Sequence, residues 1–272
     1  MIVALETAGA ACSAALFDDA GMLHGERVHA GSPAHTQLLL AAVHEVLTGA
    51  KVTAADVDCV VVGLGPGAYT GMRIGIATAR AFAQAAGEQP ARLVGVPTLA
   101  ALALALLQAH PDAAVAVPLV DGRRGEVFAA AYGRGPGADT ADGVVRQTTS
   151  SDPDSPVQLH VLDALAVVPK AGIADYLANW PGAVTDGDGA HLYAADLPQT
   201  SSLSPLVTDP TATAAGQAFF AAVPGVVEGL AHVLPIYGRE PDAVRWHGAA
   251  GTAGATSRAG ATGAASATKA AV

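Results

Sequence analysis

The chain has 272 residues, of which 51% are hydrophobic but only 4% aromatic, so its core has to be built from Ala, Val and Leu. Its formal net charge of -10 at pH 7 opposes direct binding to nucleic acid, which requires lysines and arginines to neutralise phosphates. The two cysteines, Cys12 and Cys59, lie in apolar runs. This excludes a disulfide framework and favours reduced, buried thiols in a cytosolic protein.

Targeting signals are not evident in the sequence. The N-terminus has no basic region followed by a long apolar run, so we expect no secretory signal. The most apolar stretch, residues 99–107, is too short to span a bilayer. We therefore expect a cytoplasmic protein that does not bind membranes.

The first 110 residues alternate short apolar runs with longer helical ones. Strands are predicted at residues 2–5, 12–17, 22–28, 57–63 and 92–96. Helices are predicted at residues 34–48, at 70–86 with Thr70 as the N-cap, and from Pro97 to residue 109. The first three strands form an antiparallel meander, and the whole order predicts a mixed sheet covered by helices, that is, an α/β fold.

A comparable unit follows. Strands are predicted at residues 115–120, 126–132 and 183–185, helices at 173–180 and 209–222, a turn at 121–122, and an extended segment at 234–237. Residues 133–156 are read as a surface loop with one strand at 144–148. We predict two lobes of a duplicated fold, 1–110 and 111–245, the last helix being free to pack back on the first lobe. Residues 246–272, rich in Ala, Gly and Thr, are predicted to be a disordered tail.

A glycine loop joins the strand at 57–63 to the second helix. Its motif residues are Gly65, Pro66, Gly67, Gly71 and Gly75. A strand, a glycine loop and a helix together point free backbone N–H groups at an anion. The lysine of a Walker A motif is missing, because Met72 and Arg73 follow Gly71. We favour glycines required by close packing, with phosphate binding near Arg73 as the alternative.

The helices at 34–48 and 70–86 are apolar nearly all round, whereas a helix on a sheet needs one apolar stripe. Either a third layer of the same chain covers them, for example the helix that follows Pro97, or another protein does. We favour a helix-on-helix interface with a partner, in which small residues permit close approach. The predicted interface residues are His35, Leu38, Leu39, Ala42, Val43, Val46, Thr70, Arg73, Ile74, Ala77, Thr78 and Ala81.

Catalytic patterns are poor. No two histidines lie three or four residues apart, so no helix offers a stacked pair for a metal. The Gly-x-Ser-x-Gly and kinase signatures are absent. The polar corner of Asp121, Arg123, Arg124 and Glu126 favours a hairpin ion-pair network over a binding site. The acidic turn at residues 186–189 lacks the closing glutamate of a calcium loop. We predict no catalytic residues and no metal ligands.

Several segments together resemble the TsaB (YeaZ) family. They are residues 2–7, 12–16, 35–40, 65–75, 95–101, 121–128, 187–190 and 235–239. The resemblance extends over about residues 1–245 and implies the actin-like ATPase (ASKHA) fold, with two duplicated lobes. The usual Asp before Thr7 is Glu6 here, and the usual Ala of an Asp-Ala-Arg-Arg motif is Gly122.

The resemblance implies a non-catalytic assembly subunit. Such a subunit binds TsaD and supports it in transferring the threonylcarbamoyl group to the adenosine next to the anticodon of tRNAs. The implied partners are TsaD as a heterodimer and TsaE, with a homodimer through the same helices as an alternative and tRNA contacted only indirectly. No cofactor is expected on this chain alone, with ATP or ADP in the complex. The alternative function is an independent nucleotide-dependent phosphotransferase or a glycoprotease-like metallopeptidase.

Overall fold

The computed structural model describes residues 1–29, 35–87, 89–135, 157–198, 202–204 and 210–239, without the side chains of residues 35–37. Residues Met1–Gly238 form one compact unit, and Arg239–Val272 a second, of which only Arg239 is described. The predicted strand at 144–148 and the predicted tail lie outside the described residues.

The described residues form strands and helices in two successive series. The strands are β1 (Ile2–Glu6), β2 (Cys12–Phe17), β3 (Leu23–His29), β4 (Cys59–Gly63), β5 (Arg92–Val96), β6 (Val115–Ala116), β7 (Leu119–Arg123), β8 (Glu126–Arg134), β9 (Leu159–Pro169), β10 (Val184–Thr185), β11 (Ser202–Leu203) and β12 (Val227–Glu228). The helices are α1 (His35–Gly49), α2 (Tyr69–Ala85), α3 (Thr98–Ala109), α4 (Ile173–Ala178), α5 (Asp188–Leu192) and α6 (Ala212–Phe220).

Two mixed sheets repeat one topology. In the first, β1 pairs antiparallel with β2 and β2 with β3, while β4 and β5 extend the other side in parallel. In the second, β6 and β7 together take the place of β1. They pair antiparallel with β8, which pairs with β9, while β10 and β11 extend the parallel side. Because strand order and polarity agree, the topology is that of a duplicated lobe. β12 adds an antiparallel edge strand to β5.

The last helix of each lobe packs on the sheet of the other lobe. α3 contacts β6, β8 and β10, whereas α6 contacts β1, β2 and β4, and the two helices touch each other. A single buried cluster therefore runs from Phe17 through Leu104 to Phe128. Alternate residues of each sheet face outward, toward α1 and α2 on the first sheet and toward α4 and α5 on the second. The result is five layers in which α3 and α6 form the middle one.

Several local expectations were wrong. α2 begins at Tyr69 with Ala68 as its N-cap, not Thr70, because the Ala68 N–H donates to Ala8 O at 2.7 Å and fixes the chain there. The strand predicted at 115–120 is interrupted between β6 and β7, where Pro118 has no N–H to donate. The turn predicted at 121–122 lies inside β7. β9 and α5 were not predicted at all.

Candidate functional site

One buried carboxylate organises the turn between β1 and β2. Glu6 Oε1 accepts hydrogen bonds from the backbone N–H groups of Thr7 at 2.7 Å and Ala8 at 2.8 Å. Thr98 Oγ1 donates to Glu6 Oε2 at 3.0 Å, and the same hydroxyl accepts from Gly65 N–H at 3.0 Å. Burial raises the pKa of Glu6 against the opposing effect of these bonds. The carboxyl group therefore supports the glycine loop and is not exposed to a ligand.

The turn between β1 and β2 packs directly against the glycine loop, so the loop needs residues without a side chain. A Cβ atom added at Gly71 would stand 2.2 Å from Thr7 O, and one at Gly75 would stand 2.2 Å from Thr7 Oγ1. At Gly67 it would stand 2.3 Å from Ala8 O. Gly65 adopts a φ of +90° before the cis bond to Pro66. The loop is thus filled by the chain's own turn, which supports the packing interpretation over a phosphate site.

In the second lobe, carboxylates of the acidic turn at residues 186–189 also form hydrogen bonds with the neighbouring chain. Asp188 Oδ1 accepts a bond from Asp121 N–H at 2.8 Å, and Asp186 Oδ1 lies 2.6 Å from His191 Nε2. At the hairpin corner Arg123 pairs with Asp121 at 3.0 Å, the local ion pair that the sequence predicted. Within the described ranges no three His, Cys, Asp or Glu side chains are placed to hold a metal. The acidic turn is therefore a structural connection between β7 and α5.

The α1 part of the predicted interface is wrong in four positions. Leu39, Ala42, Val43 and Val46 are at most 4% exposed, because they form a single apolar stripe that the first sheet covers. Leu38 is half-buried, and the side chain of His35 lies outside the described residues. The prediction missed Leu40, which is 52% exposed on the other side of α1. Leu40 is apolar itself, but His44, Glu45 and Thr48 are exposed on the same side of α1 and mark that side as the outer one.

The predicted α2 residues lie on one side of the helix and are exposed or half-buried. Met72, Ile76, Ala79 and Ala83 are buried on one side of the helix. Thr70, Arg73, Ala77 and Ala81 are exposed, and Ile74 and Thr78 are half-buried. These six predicted residues form a continuous stripe at helical spacing, and most of them are small. α2 therefore carries a face that the described part of the chain leaves uncovered.

A further element, not foreseen as part of the site, lies beside this face. We name residues 229–238 the C-terminal segment. Arg80 Nη2 donates to Leu230 O at 2.8 Å and to Val233 O at 2.7 Å, and Ile236 N–H donates to Leu64 O at 2.8 Å. Tyr237 stacks on Tyr69 with 5.3 Å between ring centroids. The segment is thereby held along α2, with Leu230, Leu234 and Tyr237 exposed beside the stripe.

Comparison with known proteins gives matches in both sequence and structure. The family model described as "TsaD: tRNA N6-adenosine threonylcarbamoyltransferase" matches residues 29–149. The "tRNA threonylcarbamoyladenosine biosynthesis protein TsaB" of Escherichia coli (strain K12) is 37% identical over 134 residues, which are 49% of this chain and 55% of that protein. Its counterpart in Haemophilus influenzae is 32% identical over 47% of this chain and 51% of that protein. These matches span only about half the length of the curated relatives.

The structural match is more extensive. "YeaZ from Pseudomonas aeruginosa" covers 87% of this chain and 98% of its own, with a TM-score of 0.64 and 27% identity. The chain is thus similar to TsaB (YeaZ) proteins in both sequence and fold. The α/β fold expected from the TsaB resemblance, with two duplicated lobes of mixed sheets and flanking helices, is confirmed. Among the described helices, none has the length and apolar character needed to cross a bilayer.

Proposed function

We propose that this chain is an assembly subunit in tRNA threonylcarbamoyladenosine biosynthesis and that it acts by binding TsaD. The observation that carries the proposal is the uncovered face of α2. Arg73, Ala77 and Ala81 are exposed and Ile74 is half-buried on that face, although the opposite stripe is fully packed. Small residues on a helix allow a second helix to approach closely, so the face fits a helix of a partner protein.

The proposal assigns no chemical step to this chain. The glycine loop, for which the sequence left phosphate binding as an alternative, is in contact with Thr7 and Ala8, at distances that leave no room for a Cβ atom on its glycines. The net charge of -10 favours tRNA held by a partner and not by this chain. The transfer of the threonylcarbamoyl group would belong to TsaD, with TsaE as a further component and ATP or ADP bound in the complex.

A charge placed in the α2 face tests the proposal. Ala77→Glu should abolish co-elution with TsaD in size-exclusion chromatography and the tRNA modification by the reconstituted mixture, because a partner helix would have to bury an unpaired carboxylate. Ala174→Glu is the matched control, since Ala174 is an exposed alanine of α4, on the outer side of the second lobe. If Ala77→Glu co-elutes with TsaD and supports modification as wild type does, the α2 face does not bind TsaD.

A second measurement separates the subunit from an independent enzyme. Calorimetry of the isolated chain with ATP and magnesium should give no binding in the micromolar range and no turnover. Micromolar binding with turnover would support a phosphotransferase, and a stoichiometric bound metal would support a metallopeptidase. Sedimentation of the chain alone over a range of concentrations would reveal a homodimer that uses the same face.

A further inference from the structure

A small surface cavity, open to solvent, lies between α2 and the C-terminal segment. Arg73, Ala77 and Arg80 line it from α2, and Leu234, Pro235 and Tyr237 line it from the segment. Its volume is about 240 Å³. Pockets for small organic ligands and cofactors usually measure roughly 300–1,000 Å³. The cavity is therefore too small for a nucleotide and matches a single inserted side chain.

The walls of the cavity are formed in advance. Arg80 fixes the segment through the carbonyl groups of Leu230 and Val233, and the Val233 side chain is fully buried in the core of the first lobe. The bond from Ile236 N–H to Leu64 O and the stacking of Tyr237 on Tyr69 hold the far end. A pocket that needs no reorganisation loses little conformational entropy when it is filled.

The cavity is cationic in an acidic protein. α2 contains two arginines and no acidic residue, and the C-terminal segment contains no Asp or Glu. Arg73 donates to Tyr69 Oη at 3.2 Å and lies over the same ring, and Arg80 Nε is buried without an acceptor. In the part of the chain that the structure describes, no carboxylate pairs with either arginine. This charge favours an occupant that brings its own carboxylate.

We propose that the cavity receives an apolar side chain from a helix of the partner protein and that a carboxylate close to that side chain on the same helix pairs with Arg73. The inference rests on the proposed function, since the partner is TsaD. A second copy of the chain fits less well. Its α1 and α2 together contain one carboxylate, Glu45, which already pairs with Arg27 at 3.2 Å. Charge complementarity across an interface selects partners in this way, and it therefore favours the heterodimer.

The test is titration calorimetry of the full chain with TsaD. Arg73→Glu should weaken binding by about tenfold or more, and Leu234→Ala by about fivefold, because central anchor sites contribute most of the binding energy at an interface. Each variant has a matched control on the second lobe. Lys170→Glu reverses another exposed cation, and Leu192→Ala truncates a leucine that is 58% exposed, against 54% for Leu234. Both controls should bind TsaD within about twofold of wild type.

The dependence on salt gives an independent readout. The affinity of Arg73→Gln for TsaD should fall less steeply than that of wild type as the salt concentration rises, because the variant lacks the proposed ion pair. All variants are compared by thermal unfolding, so that only folded proteins are titrated. If Arg73→Glu and Leu234→Ala both bind TsaD with an affinity within twofold of wild type, the cavity proposal is wrong, although the proposed function stands. A wild-type chain that does not bind TsaD would overturn both.

Discussion

Thr98 and Glu6 connect the start of α3 to the end of β1, through a hydrogen bond of 3.0 Å from the threonine hydroxyl to Oε2 of the carboxylate. The same hydroxyl accepts the N–H of Gly65, and the Gly65 carbonyl accepts the N–H of Thr98 at 2.8 Å. A single buried carboxyl group thus links the first turn, the glycine loop and the start of the helix that packs on the second lobe.

The buried carboxyl group makes stability depend on pH. Burial raises the pKa of Glu6 above its ordinary value of 4.5, so the folded protein holds this proton more tightly than the unfolded chain does. The stability that this proton contributes is fully present below 4.5 and is lost as the pH rises through the raised pKa. We expect Glu6→Gln to remove this contribution. The free energy of unfolding of the variant should therefore improve relative to wild type as the pH increases above 4.5, in urea denaturation at a series of pH values.

The control for this experiment is Glu45→Gln, which changes an exposed glutamate on α1. It shows how much stability changes when a glutamate outside the buried turn is exchanged for a glutamine. A constant difference between wild type and Glu6→Gln at every pH would show that Glu6 has the same pKa in the folded and the unfolded chain.

The glycine loop predicts a sharp contrast between two helical glycines. Gly75→Ala places a methyl group 2.2 Å from Thr7 Oγ1 and should lower the free energy of unfolding by about 1–3 kcal/mol. Gly49→Ala meets no atom within 4 Å and should leave stability unchanged or raise it by up to about 1 kcal/mol. Chemical denaturation of both variants checks the pair. Equal stability of the two variants would mean that the turn at Thr7 accommodates the added methyl group without loss of stability.

The two thiols should be inert in the folded protein. Burial raises the pKa of Cys59 to about 11, and it also raises the pKa of Cys12. Only the thiolate is reactive, so neither side chain should react with Ellman's reagent at pH 8 until denaturant is added. The expected result is a stoichiometry near zero for the native chain and two for the unfolded one. Fast modification of the native protein would contradict the buried positions of these strands.

Elements with a single clear period were predictable from the sequence. β2 and β5 have the predicted bounds, because each is a short, mostly apolar run between turns. β9 was missed, since His160 and Asp163 interrupt its apolar pattern on a half-exposed surface. β11 and β12 have only two residues each, too few for a pattern. Their pairing depends on neighbouring strands that lie far away in the sequence.

The site was half predictable for a similar reason. A helix that is apolar on several sides has to be covered by more than the sheet. Its sequence indicates the sheet-facing side only where glycines or polar residues mark one side. On α2 the glycines mark the packed side, because Gly71 and Gly75 lie against the first turn, and the six predicted residues are exposed or half-buried. On α1 the polar residues His44, Glu45 and Thr48 mark the exposed side, yet four core residues of that helix were assigned to the interface. The role of Arg80 depends on carbonyl groups about 150 residues away, which no local pattern contains.

The exchange of α3 and α6 between the lobes has a consequence for anyone who wishes to dissect the chain. Cutting after residue 110 would give an N-terminal fragment that retains α3 but has lost α6, the helix that shields the inner side of its own sheet. The complementary fragment would lack α3 in the same way. Both pieces would expose apolar strands to water and aggregate when expressed alone, yet they should reassemble into a native-like whole when produced together.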